Sequence, residues 1–83
     1  MPTAFTEEEM KRIRIELIFA GIRLSKELGL QKMSVEKLTA AVGIAKGSFY
    51  LFFGSKEDFI LEIAKYSSEE TQKMLLSKLN GRR

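Results

Sequence analysis

An all-α fold follows from three features of these 83 residues. Apolar residues recur at helical rather than alternating spacing along most of the chain. A hydroxyl residue suited to capping a helix stands just ahead of three such stretches: Thr6, Ser34 and Ser55. Two of the stretches are separated only by Gly43-Ile44-Ala45, and short helices joined by a tight glycine-containing turn form a helix-turn-helix.

The first helix opens on Thr6-Glu7-Glu8-Glu9, a capping box. The threonine hydroxyl takes an amide at the third helical position while Glu9 reaches back to the Thr6 amide. Phe5 and Met10 stand where a hydrophobic staple would close over it. Ile13, Leu17, Ala20, Leu24 and Leu28 then share one face, and Ile15 and Phe19, off that stripe, predict a second contact surface. Gly29 is expected to end the helix as a left-handed cap.

Ser34 caps a short second helix with Val35, Leu38 and Val42 facing inward, and Gly43 follows at once. A third short helix begins at Lys46-Gly47-Ser48 and carries the run Phe49-Tyr50-Leu51-Phe52-Phe53. At 3.6 residues per turn this run lies on two surfaces. Phe49 and Phe53 point inward, Ser48, Leu51 and Phe52 point outward, and Lys46 and Tyr50 form a third edge. Aromatic residues also favour strands, but nothing else in the chain could pair with one. Ser55 starts the last helix, with Phe59, Ile60, Ile63 and Tyr66 facing the bundle. A polar stretch, Ser67 to Lys73, separates these from Met74, Leu75, Leu76 and Leu79, which are expected on a fraying end suited to docking elsewhere.

The bulk properties narrow the function. The length gives one small domain, able to bury about 60% of its unfolded surface. There is no cysteine and no histidine, so no disulfide and no ordinary zinc site. No segment approaches a membrane span and the N-terminus lacks the order of a signal peptide, so a cytoplasmic location is expected. Net charge is +3, but residues 10–56 hold nine basic and three acidic side chains, a net of +6 between acidic flanks. That is the footprint of a polyanion-binding surface. Without His or Cys, and with its acidic clusters on solvated ends, the chain offers no catalytic centre and no metal or cofactor site. The run from Gly43 to Ser48 lacks the spacing of a phosphate loop.

Ser34-Val35, Leu38, Gly43-Ile44, Lys46-Gly47-Ser48, Tyr50, Phe53 and Ser55-Lys56 together resemble the DNA-binding signature of the TetR (tetracycline-repressor) family. The resemblance spans residues 10 to about 65 and is carried by a linked set at fixed spacing. It implies a three-helix, homeodomain-like bundle with its helix-turn-helix at about 34–53, plus the start of a fourth helix. It also implies a repressor's DNA-binding head, its third helix in the major groove of a double-stranded, palindromic operator. The family's larger inducer-binding and dimerising domain is expected to be absent from residues 1–83, and this chain is expected to be monomeric where the family is homodimeric.

Carried over residue by residue, the resemblance makes Lys46, Gly47 and Ser48 the leading end of the recognition helix. Gly47 lets the backbone approach DNA, Tyr50 packs its ring and offers its hydroxyl to a phosphate, and Lys56 contacts a phosphate. Ser34 and Thr39 match backbone-touching positions, with Lys37 joining them. Ala45 replaces a usual small polar cap, and Phe52 stands where histidine is frequent. Base readout would then lean on Ser48, on apolar contacts from Leu51 and Phe52, and on DNA shape. Gly21 and Ser25, where the family often has alanine and phenylalanine, are expected to thin the packing of the first helix. The rival reading is a small helical protein-interaction module using Leu51, Phe52 and the C-terminal leucines as hot spots.

Overall fold

A computed structural model describes residues 5–79. Every regular element among them is helical: α1 (Glu7–Leu28), α2 (Val35–Val42), a 3-10 helix η1 (Lys46–Leu51), α3 (Lys56–Ala64) and α4 (Glu69–Leu79). Arg82 and Arg83, of the basic tail, lie outside the described residues.

Helix α1 starts as its sequence dictates. The Glu9 amide donates to the Thr6 hydroxyl at 3.1 Å, and the Thr6 amide donates to Glu9 Oε1 at 2.9 Å. The staple differs. Phe5 packs on the core and its ring lies 6.2 Å from that of Phe52. At the other end Gly29 has φ +85° but ψ 157°, so it is an extended-ψ cap rather than a left-handed one. Only glycine takes that conformation readily.

Packing explains which faces of α1 are buried. Ile13, Leu17, Ala20 and Leu24 lie in the core, whereas Leu28 at the end of the stripe is exposed. Ile15 and Ile18 are also buried, because α1 is covered by α2 and α3 and also by α4. The second contact surface expected from Ile15 and Phe19 is thus occupied within the chain. Ile15 and Leu75 line one groove between α1 and α4, and Leu75 is 3% exposed.

Helix α4 is therefore not the fraying end of a longer last helix. The chain turns at Lys65–Ser68, and the Ser68 hydroxyl accepts the Thr71 amide at 3.3 Å, as a new N-cap would. Gln72 Nε2 closes the turn by donating to the Tyr66 carbonyl at 2.9 Å. The polar stretch that interrupts the apolar pattern is the corner between two helices.

At the centre, Phe49, Phe53 and Phe59 meet with ring centroids 4.8–5.6 Å apart, two of the three pairs edge to face. Such pairs contribute about 0.5–1.5 kcal/mol each beyond their burial. Gly21 belongs to this cluster: a Cβ there would stand 2.5 Å from the Phe59 ring. It admits the ring against α1 and does not thin the packing.

Candidate nucleic-acid interface

Three helix starts meet at the helix-turn-helix. Ser34 caps α2 by accepting the Lys37 amide at 3.1 Å, and Ser55 caps α3 by accepting the Asp58 amide at 3.1 Å. Between them Gly43, at φ 89° and ψ 31°, ends α2 in the left-handed region and turns the chain into η1. Its amide and that of Ile44 both donate to the Thr39 carbonyl. The turn thus fixes how η1 leaves α2.

Helix η1 has no side-chain cap, since Ala45 has no group to offer. Its period decides which side chains reach solvent. In a 3-10 helix residues three apart eclipse, so Lys46, Phe49 and Phe52 follow one edge, Gly47 and Tyr50 a second, Ser48 and Leu51 a third. Phe49 is fully buried, while Tyr50 and Leu51 are 54% and 56% exposed. The Tyr50 ring stands edge-on to Phe49 at 5.3 Å, leaving its outer edge in solvent. Gly47 is exposed, with nothing within 4 Å of where a Cβ would be.

Two sequence-derived site residues are misplaced by this geometry. Phe52 does not share an outward face with Ser48 and Leu51. It is half-buried against the core and beside Phe5, because the tighter period takes it off the edge shared by Ser48 and Leu51. Thr39 is 2% exposed, and its hydroxyl donates to the carbonyls of Val35 at 2.9 Å and Glu36 at 3.2 Å. Its hydrogen-bonding capacity is turned into α2, away from any partner.

The lysines gather as the third dimension permits. Lys46 lies 3.6 Å from Glu36, both side chains largely exposed, an ion pair of little net value. Lys37 Nζ donates to the Lys32 carbonyl at 3.4 Å and Lys56 Nζ to the Gln31 carbonyl at 3.5 Å. These long bonds bring the starts of α2 and α3 to one turn, Gln31-Lys32, which itself carries a cation. Neither lysine pairs with a carboxylate among the described residues. The sequence reading missed the turn as the place where Lys37 and Lys56 converge. Lys32 lay within the basic block, but nothing local shows which distant lysines it meets. Ser34, Lys37, Lys46, Gly47, Ser48, Tyr50, Leu51 and Lys56 all retain some exposure.

A different ion pair holds the frame behind this surface. Arg14 Nη2 lies 3.0 Å from Glu62 Oε2, joining α1 to α3, and the Arg14 guanidinium also sits 5.2 Å from the Phe53 ring centroid. The hydrogen bond from Arg14 holds the Glu62 carboxyl below its usual range, against the opposing effect of partial burial, with Lys65 adding to the lowering.

No group of His, Cys, Asp or Glu among the described residues could hold a metal. Of the anchors of the rival protein-interaction reading, Leu75 is covered by α1 and Phe52 rests on Phe5, whereas Leu51 and Leu76 stay exposed.

Residues 17–63 match the family described as bacterial regulatory proteins, tetR family. The chain is similar to the HTH-type transcriptional regulator YvdT of Bacillus subtilis, 33% identical over 66 residues, 80% of this chain and 34% of that protein. It is 43% identical over 44 residues to the HTH-type transcriptional regulator YwcC of the same organism, 53% of this chain and 20% of that one. A fatty acid metabolism regulator protein of Bacillus subtilis is 31% identical over 51 residues, 61% of this chain and 26% of the relative. The chain thus spans about a third or less of the length of these relatives. No solved structure matches it.

Proposed function

We propose a function from one premise: the chain belongs to the tetR family of bacterial regulatory proteins. It serves as the DNA-binding head of a transcription regulator, a repressor that occupies operator DNA. Helix η1 enters the major groove, about 12 Å wide, with Ser48 and Leu51 toward base edges. Lys46, Tyr50, Lys56 and Lys37 take the flanking phosphates, joined by Lys32. Ser34 touches the backbone at the start of α2. Phosphate contacts fix the register, and Ser48, Leu51 and the shape of the duplex supply sequence preference. Two such heads, about 34–36 Å apart on a palindromic site, would act together in a homodimeric regulator. Such a regulator works in the cytoplasm, where its DNA is; no helix among the described residues is long and apolar enough to cross a membrane.

One observation carries this reading. Lys37 and Lys56, 19 positions apart in sequence, reach a single turn that carries a third cation, and η1, which packs on α2, leaves Tyr50 and Leu51 exposed. A solvated charge run has no reason to bring distant lysines to one turn. Selection from a random duplex pool, read by gel shift at about 50 mM salt, tests it. Enrichment of a defined half-site is expected; failure to retain any duplex would refute it.

A further inference from the structure

We propose that Phe5 is a positioning residue for the DNA-reading helix, acting through Phe52. The inference rests on the reading that η1 contacts DNA, and it concerns how so weak an element is held at a fixed angle. Helix η1 has six residues, 3-10 geometry, no side-chain cap and a glycine at its second position. Each of these lowers its intrinsic stability. Among its own side chains only Phe49 is buried. One buried ring fixes depth but leaves rotation about that ring, and rotation would displace Ser48, Tyr50 and Leu51 together.

The segment after η1 supplies two more anchors on different sides. Phe53 joins Phe49 and Phe59 in the core. Phe52 goes the other way and meets Phe5, with centroids 6.2 Å apart and planes inclined at 43°. Phe5 itself is held firmly. It precedes Thr6, whose reciprocal hydrogen bonds with Glu9 tie the chain to the start of α1, the longest helix of the molecule. The order of support is the α1 capping box, then Phe5, then Phe52, then the trailing end of η1. Removing the Phe5 ring leaves the aromatic core intact and frees the rotation that sets the angle of η1.

Amide hydrogen exchange and DNA binding by the 83-residue chain test this together, using Phe5→Ala, Phe5→Leu, Phe52→Ala and the Phe5→Ala/Phe52→Ala double variant. In the free protein, the Phe52 and Phe53 amides, bonded to the Phe49 carbonyl at 3.0 and 3.1 Å, are expected to exchange about tenfold faster in Phe5→Ala. Amides in the middle of α1 should keep their protection. Affinity for the selected half-site should fall by about tenfold, with binding to random duplex and its salt dependence unchanged. Phe5→Leu should restore both readouts, and the double variant should be no worse than Phe52→Ala alone. Unchanged exchange at Phe52 and Phe53 would overturn the proposal whatever the DNA result. Equal loss for selected and random duplexes would also overturn it, reducing Phe5 to general stability. An unsubstituted chain that binds no DNA would refute the DNA-binding reading and the positioning role with it; the exchange data would still show separately whether the clasp exists.

Discussion

Two glycines on helical backbone, Gly21 and Gly47, stand in opposite surroundings. A methyl group on Gly21 would meet the Phe59 ring at 2.5 Å, and that ring is enclosed by Phe49 and Phe53 with no room to retreat. Gly21→Ala gains about 1 kcal/mol of helix propensity and meets an overpacking cost of about 1–3 kcal/mol. A net loss of stability in urea unfolding is the expected outcome. Gly47 has open space and an ordinary φ, so Gly47→Ala should leave the urea midpoint unchanged or slightly raised. On the proposed reading, in which the backbone at Gly47 approaches DNA, half-site affinity should nevertheless fall; unchanged affinity would remove Gly47 from the interface. The Gly21 outcome was not legible from sequence, since that glycine owes its role to a ring 38 positions away, whereas the place of Gly47 was expected from the resemblance. Thr39 was misread for a related reason. A hydroxyl mid-helix looks available until its own carbonyls at Val35 and Glu36 are seen to hold it.

Among the elements, those governed by local chemistry are the ones the sequence predicted well. Thr6, Ser34 and Ser55 cap the helices they precede, and Gly43 turns where a left-handed residue is needed. Ser34→Ala should cost about 1 kcal/mol of stability, as read by thermal unfolding. What escaped prediction depends on period and tertiary contact. A 3-10 rather than an α period turned Phe52 from groove to clasp, and the packing of Leu75 on α1 bent one expected helix into α3 and α4. The α1–α3 clamp was equally invisible, because Arg14 and Glu62 lie far apart in sequence. Its pH dependence follows from the lowered pKa of Glu62. A carboxyl depressed in the folded state contributes stability that is fully present above its unfolded value of 4.5 and lost as pH falls through the folded value. The difference in melting temperature between the unsubstituted chain and Glu62→Gln should therefore be largest near neutrality and shrink as pH drops below about 4.5. A difference that stays constant down to pH 3 would show that the Arg14 contact carries no net charge coupling.

For the molecule as a whole, what the fold leaves exposed matters as much as what it buries. Leu61, Met74 and Leu76 are the large apolar side chains exposed on α3 and α4. They supply far less than the roughly 1,000 Å² of a stable interface. The 83-residue chain should sediment as a monomer at micromolar concentration, and a dimer independent of concentration would contradict that. Fusion to a dimeric coiled coil should raise affinity for a palindrome through effective concentration, provided both heads can engage. The central claim is that the face built from η1 and the starts of α2 and α3 binds duplex DNA through its lysines. It is tested most directly by the slope of log affinity against log salt for the unsubstituted chain, Lys46→Ala and Lys56→Ala. Each substitution should reduce the slope by about one and weaken selected and random duplexes alike. A slope unchanged by either substitution would place the DNA, if it binds at all, on another face of the molecule.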